Sequence, residues 1–294
     1  MLENVFGRGA RLVPSPVRCA LAAAAFAVGV SPLPPREAGA VDTSDLVSDE
    51  YFRVCADPAN MPFSNEAGEG FENELAELFA EKLGREVRYE WFPQATGFIR
   101  NTLKAAKCDV VMGYAQGHEL VLNTNHYYVS AYVLVARADG PLAGVERLAD
   151  PALEGKRLGV VAGSPVASHA ARYGLMGSAK PYPLMVDRRY DDPTREMIDD
   201  IVSGETDAAL AWGPLVGWYA KNADADLVVT PLLDEQGPPR LFYRITLGVR
   251  QGELSWKREL NSVIRRNQDA IDAILTEYGV PLVEEFGRSE ATTQ

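Results

Sequence analysis

The sequence predicts an α/β fold of two lobes, with mostly parallel sheets flanked by helices and two interlobe crossings. Three observations lead there. A chain of 294 residues is long enough for two lobes rather than one. Strand-like and helix-like segments alternate along most of it, the pattern of parallel strands covered by helices. Two long extended runs, 130–136 and 241–249, bracket the middle of the chain, so the backbone passes from one lobe to the other and back.

The elements follow in order. Residues 51–56 (YFRVCA) form a short strand. Leu75, Leu78, Phe79 and Leu83 share one face of a helix over 72–83, and Gly84 stops it. A strand over 86–92 ends at Pro93, a helix over 97–106 turns Phe98, Ile99, Thr102, Leu103 and Ala106 inward, and 108–113 is a third strand. After the extended run 130–136, the turn Asp139-Gly140-Pro141 opens the second lobe. There a strand over 156–161 runs into a helix start, with Ser164 as N-cap and Pro165 at the first helical position. Asp192-Pro193 repeats that device before Met197, Ile198, Ile201 and Val202. A strand over 207–211, a short helix over 215–220 and a strand over 227–229 follow. After the run 241–249, one helix over 256–278 returns to the first lobe, ended by Gly279 and Pro281. The expected division is 1–40 as a leader, 41–137 as the first part of lobe one, 138–240 as lobe two, and 241–294 as the return.

Composition narrows the function. An apolar fraction of 47% with 24% charged residues is an ordinary globular balance. The net charge of −12 has the wrong sign for a nucleic-acid binder or for a protein held by charge to anionic lipid. No uncharged apolar run reaches the roughly 18 residues of a membrane span.

The first 40 residues read as an export signal. Arg8, Arg11 and Arg18 precede an apolar run, 19–30, which Pro32, Pro34 and Pro35 break, and Ala38-Gly39-Ala40 supplies a cleavage site. The alternative is a buried Ala-rich helix or an uncleaved anchor. No pair of adjacent arginines marks the twin-arginine route. Removal of 1–40 leaves 25 basic and 39 acidic residues, a net charge of −14. It also leaves two cysteines, Cys55 and Cys108, and in an exported protein the expectation is one disulfide. Two buried free thiols are the alternative. Simple strand register raises an objection, because the offset between the two could exceed the ~7 Å limit on Cα separation.

In open parallel sheets, ligands sit beyond the carboxyl ends of strands. The residues expected there are Asp57, Asn60, Met61, Phe63 and Phe71 after the first strand, Phe92 and Gln94 after the second, Tyr114 and His118 after the third, and Ser164 and Trp212 from the second lobe. They make a cleft that is mostly apolar with a few polar anchors; ordinary turn chemistry is the plainer reading. Catalytic patterns are wanting. His118, His126 and His169 are not spaced as metal ligands. Gly68-Glu69-Gly70 lacks the third glycine of a dinucleotide loop, and Ser164 is followed by Pro165 rather than set in a nucleophile elbow. Asp191 and Asp192, beside Arg188, Arg189 and Pro193, read as a solvated loop. The expectation is therefore no catalytic residue, no metal and no enzyme.

Over roughly 51–285 the chain resembles periplasmic solute-binding proteins of the two-lobed venus-flytrap kind. The strings that carry this are Arg53-Val54-Cys55-Ala56-Asp57, Pro62-Phe63-Ser64 and Gly70-Phe71-Glu72-Asn73-Glu74-Leu75-Ala76. Amino-acid binders of that family hold the substrate carboxylate with an arginine after the third strand, where this chain has Gly117-His118-Glu119-Leu120. They hold the amino group with an aspartate at the end of a lobe-two strand, where this chain has Trp212. A zwitterion moved into such a cleft would lose water and gain no ionic partner, so binding of free amino acids is not expected.

A narrower resemblance rests on Cys55-Ala56-Asp57-Pro58, Trp91-Phe92-Pro93-Gln94, Gly97-Phe98-Ile99-Arg100-Asn101-Thr102-Leu103, Cys108-Asp109-Val110-Val111-Met112-Gly113 and Trp212-Gly213-Pro214-Leu215. These strings are similar to the J-type accessory proteins of methanol oxidation, the MoxJ and XoxJ type. The resemblance implies a periplasmic helper that activates or matures a methanol dehydrogenase dependent on pyrroloquinoline quinone (PQQ). The PQQ, with a lanthanide or calcium, is implied in that partner enzyme and not in this chain; the enzyme's cytochrome c is a second implied partner. The expected state is a monomer, with no nucleic acid and no membrane insertion. The alternatives are a transporter's receptor for a neutral or apolar small molecule, and a flytrap fold turned dehydratase with Glu119, His118 and Asp57 as its only acid–base candidates.

Overall fold

The computed structural model describes residues 46–284 apart from His118; the leader expected over 1–40 lies outside the described residues. In chain order the elements are β1 (Tyr51–Ala56), β2 (Ala59–Asn60), β3 (Ser64–Asn65), α1 (Phe71–Leu83), β4 (Glu86–Trp91), α2 (Phe98–Asn101), β5 (Val110–Ala115), β6 (Leu122–Arg137), β7 (Leu158–Val161), α3 (Pro165–Arg172), β8 (Lys180–Tyr182), α4 (Pro193–Ser203), β9 (Ala208–Trp212), α5 (Gly213–Lys221), β10 (Leu227–Pro231), β11 (Phe242–Val249), α6 (Leu254–Arg266) and α7 (Gln268–Glu277).

Among the described residues, nine strands join in one sheet, ordered β4-β1-β5-β11-β6-β9-β7-β8 with β10 also on β6. Parallel pairs lie toward its two ends, β1 with β4 and β5, and β7 with β8 and β9. The centre is antiparallel, because β6 and β11 carry the chain across. Residues Leu122–Ala131 of β6 pair with β11, while Tyr132–Arg137 pair with β9 and β10. One strand thus belongs to both lobes.

Local sequence accounts for most boundaries. Gly84 closes α1 in the left-handed conformation, φ 67°, which costs glycine least. Ser164 Oγ accepts from Ala167 N at 3.3 Å, and Asp192 Oδ1 accepts from Arg195 N at 3.1 Å, so both expected caps form. On one face of the first lobe, Phe52, Val54, Leu75, Phe79, Val110, Met112, Leu260 and Leu275 pack into a core under α1, α6 and α7. Phe98, Ile99, Leu103 and Val111 cover the other face. In the second lobe α3 covers Leu134, Leu158, Val160 and Leu210, and α4 and α5 cover Val133, Val135, Ala209 and Ala211.

Several elements differ from expectation. The helix expected over 97–106 is a single turn, α2, followed by a tight turn, Leu103–Ala105. It breaks because Thr102 Oγ1 bonds back to Phe98 O at 2.7 Å while its backbone leaves helical geometry. The helix expected over 256–278 is two, α6 and α7, because Asn267 Nδ2 takes Val263 O at 2.7 Å. The strand expected over 130–136 begins at Leu122. Its polar start serves the ladder where register shifts: Thr124 Oγ1 accepts from Leu247 N at 2.9 Å, and Asn123 Nδ2 donates to Thr246 Oγ1 at 3.0 Å. Strand β8 was not expected; it holds Pro181 and lies at an edge, where proline is tolerated.

Cys55 and Cys108 are bonded, with Cα atoms 5.5 Å apart. Register pairs Cys55 with Val111. Cys108 lies before β5 and off that ladder, so the in-register offset does not apply. Beside the bond, Asp109 accepts from Arg53 Nε (2.7 Å), Arg53 Nη2 (2.7 Å), Arg250 Nη2 (2.6 Å) and Ser48 N (3.2 Å). Arg250 also donates to Glu253 at 2.6 Å and to Cys108 O.

Candidate functional site

The chain leaving β1 is tied to the chain leaving β4. Asp57 Oδ1 accepts from Ala59 N at 2.9 Å, and Oδ2 accepts from Gln94 N at 2.5 Å. Asn60 Nδ2 donates to Gln94 Oε1 at 3.1 Å, and Ser64 Oγ donates to Asp57 O at 2.8 Å. Asn73 Oδ1 accepts from both Asn65 N and Gly70 N at 3.1 Å, which seats the 61–70 loop on the start of α1. This makes one rigid wall. The Asp57 carboxylate holds two backbone N–H groups, so it is placed for architecture rather than for acid–base work.

The facing wall comes from the second lobe, from the loop between β8 and α4 and from α5. Asp192 caps α4 and accepts from Tyr219 Oη at 2.7 Å; burial and that bond raise the Tyr219 hydroxyl above its ordinary range. Arg189 grips Asp187 with bonds of 2.8 and 2.6 Å, and this pair holds the Asp187 carboxyl at about 2. Two cavities lie between the walls. One, of about 960 Å³, is bounded by Met61, Glu69, Arg195, Trp218, Tyr219 and Tyr278 among others. The second, of about 310 Å³, is bounded by Asp57, Asn60, Phe63, Gln94, Leu184 and Met185 among others. Pro58, Ala59, Arg188 and Arg189 line both, so the two form one groove.

The expected residues divide accordingly. Asp57, Asn60, Phe63 and Gln94 come together in the smaller cavity, and Met61 in the larger. The other described candidates line neither. Phe71 is fully buried in the first-lobe core, its ring 5.0 Å from Phe63. Phe92 packs on Phe98, and Tyr114 on the same small core. Ser164 is a buried helix cap. Trp212 packs between Tyr132 (tilted, 5.3 Å) and Tyr243 (edge-on, 5.8 Å). These side chains close the sheet ends from within, since large rings at strand ends find apolar neighbours first. His118 lies outside the described residues.

Sequence reasoning set aside the lobe-two wall. Arg188, Arg189, Asp191 and Asp192 read there as a solvated loop; the loop is largely exposed, and all four residues also line the larger cavity. The expected ring-lined, apolar groove is instead mixed, with charged and aromatic groups interleaved. The available signal was Leu184-Met185-Val186, an apolar triplet directly before that charge run. Asp207, on the last turn before β9, pairs with Arg157 at 2.8 Å at the far end of the strand, away from the groove.

One buried acid stands behind the lobe-one wall. Glu72, on the first turn of α1, is pushed up to about 8 by burial. A side chain on Gly113 would meet Glu72 Oε1 at 2.0 Å, and Gly113 has φ +64°, so only glycine fits beside this carboxyl. Tyr127 Oη accepts from Gly113 N at 3.0 Å. Among the described residues no three His, Cys, Asp or Glu side chains gather as a metal cluster, and no helix is long and apolar enough to cross a membrane.

The profile of the bacterial extracellular solute-binding proteins, family 3, matches residues 52–280. The chain belongs to that family. Its members are solute-binding proteins, and solved relatives share the two-lobed architecture described above. Protein MoxJ of Methylorubrum extorquens is 31% identical over 248 residues, covering 79% of this chain and 81% of its own. The crystal structure of periplasmic binding protein XoxJ from Methylobacterium extorquens AM1 matches with a TM-score of 0.68 and 42% identity, covering 80% of this chain and all of that one. MxaJ from Methlophaga aminisulfidivorans matches with a TM-score of 0.67 and 28% identity, over 79% of this chain and all of its own. The MoxJ/XoxJ resemblance read from the sequence is borne out.

Proposed function

We propose that this chain is a periplasmic accessory protein that assists activation or maturation of a PQQ-dependent methanol or alcohol dehydrogenase, by holding part of that enzyme in the interlobe groove. Residues 41–137 and 241–294 act as one lobe in this reading and 138–240 as the other. The observation that carries it is the likeness to MoxJ and XoxJ across four-fifths of the chain, joined to the missing amino-acid clamp. In the sequence resemblance Trp212 takes the place of the amine-binding aspartate, and its ring is engaged by Tyr132 and Tyr243. The PQQ and its lanthanide or calcium belong to the partner enzyme; this chain is not an enzyme and binds neither.

The test is a pull-down and an activation assay with purified dehydrogenase. Wild type raises dehydrogenase activity and is retained on it; Phe63→Ser, which removes the apolar floor of the smaller cavity, weakens both. Unchanged dehydrogenase activity with wild type present overturns the reading. A second reading, a transporter's receptor for a neutral small molecule, is favoured by one observation: about 310 Å³ is the size of a metabolite site. A thermal shift with a single compound, and none with dehydrogenase, selects it.

A further inference from the structure

The groove holds a guanidinium, Arg188, that has no hydrogen bond or ion pair among the described residues, although its charge is felt at the Tyr219 hydroxyl. Arg189 is taken by Asp187, Arg195 lies 3.6 Å from Asp192 and over the Tyr219 ring, and Lys221 donates to Glu277 O at 2.6 Å. Arg188 has no ion pair or hydrogen bond among the described residues. It lines both cavities and is partly shielded from water. Glu69, Asp191, Asp192 and Glu277 line the same cavity without pairing with it, so its N–H donors stay available, and guanidinium matches carboxylate through paired N–H donors.

Two neighbours define what else the ligand carries. Leu184 and Met185, 57% and 67% exposed, form the apolar rim of the smaller cavity beside Phe63. On the opposite wall, the Asn60–Gln94 bond uses one donor and one acceptor. The Asn60 carbonyl and the Gln94 amino group make no other bond among the described residues, which leaves one acceptor and one donor. That pair complements the N–H and C=O of one peptide unit. The groove continues past Arg188 into the larger cavity.

We infer that the occupant is an extended peptide segment whose Asp or Glu side chain is bound by Arg188, with an adjacent apolar residue on Leu184 and Met185. The inference rests on the proposed function only for the owner of that segment, the dehydrogenase; its chemistry comes from the groove itself.

The experiment uses the exported full-length protein and a random octapeptide library displayed on phage. Selection enriches peptides with an acidic residue next to Leu, Met or Phe, and the best of them loses about tenfold or more in affinity when its acid becomes the amide. Arg188→Gln abolishes that acid–amide difference, and Arg188→Lys restores part of it. No enriched peptide, or equal enrichment on wild type and Arg188→Gln, overturns the inference. A second arm measures binding of purified dehydrogenase. Acidic peptides that bind while the dehydrogenase does not leave the Arg188 anchor standing and sink the accessory role. A dehydrogenase that binds wild type and Arg188→Gln equally does the reverse.

Discussion

Two regions of this molecule handle charge in opposite ways. Behind the first lobe, Asp109 is almost wholly buried, and four donors from Arg53, Arg250 and Ser48 converge on it. In the groove, Arg188 stands with no such partner among the described residues. The first arrangement fixes the fold: the carboxylate joins β5 to β1 and to the start of α6, next to the disulfide. The second leaves that guanidinium unpaired in the groove, while Lys221 of the second lobe donates to Glu277 O of the first. The difference separates charge that serves architecture from charge available to another molecule.

The largest effect expected from breaking this contrast is at Asp109. Asp109→Ala leaves Arg53 without its acid and Arg250 with Glu253 alone, and costs about 3–5 kcal/mol. Thermal unfolding would fall by roughly 10 °C; a fall of only a degree or two would mean that water or Glu253 replaces the acid. Next comes the disulfide, which closes a loop with a sequence separation of 53. Cys55→Ser together with Cys108→Ser costs about 2–4 kcal/mol, read by denaturant titration under oxidising and reducing conditions, and the variant should be indifferent to reductant.

Glu72 sharpens the contrast, because it is a buried acid with no cation paired to it among the described residues. Its carboxyl stays protonated in the fold up to about 8, while in the unfolded chain it ionises near 4.5. Between those values the folded state carries the extra proton, so stability falls as pH rises, by at most about 1.4 kcal/mol per unit, and levels off above the upper value. Glu72→Gln removes this slope. Parallel pH–stability curves for wild type and Glu72→Gln would show that Glu72 ionises normally. The smallest effect is at Arg188: Arg188→Gln should shift stability by no more than about 0.5 kcal/mol. A loss comparable to that of Asp109→Ala would place Arg188 in the architecture and erase the contrast.

Much of the fold was legible because caps and terminators are local. Ser164-Pro165, Asp192-Pro193 and Gly84 act within a few residues, and each boundary falls where its chemistry puts it. The helix breaks at Thr102 and Asn267 were not legible, since both residues are compatible with helix and break it only through their own side-chain bonds. The start of β6 was hidden by polarity: Asn123 and Thr124 become strand residues only because Thr246 and Leu247 lie opposite. The lobe-one wall of the groove was readable from strand ends, as Asp57, Asn60, Phe63 and Gln94 demonstrate. The rings at Phe71, Phe92 and Trp212 misled, because an aromatic after a strand fits an internal core as well as a cleft. The lobe-two wall depends on how far the 183–192 loop reaches across the groove, and no local pattern encodes that distance.

Strand β6 has a further consequence. A single ribbon of sixteen residues is hydrogen-bonded into both halves of the sheet, so neither half can melt without unzipping part of the other. Calorimetry should therefore record one endotherm, and a protease cut made between the halves should release no independently stable fragment. Whatever movement opens the groove has to be absorbed as twist in that ribbon near Ser130–Tyr132, where its partner changes from β11 to β9.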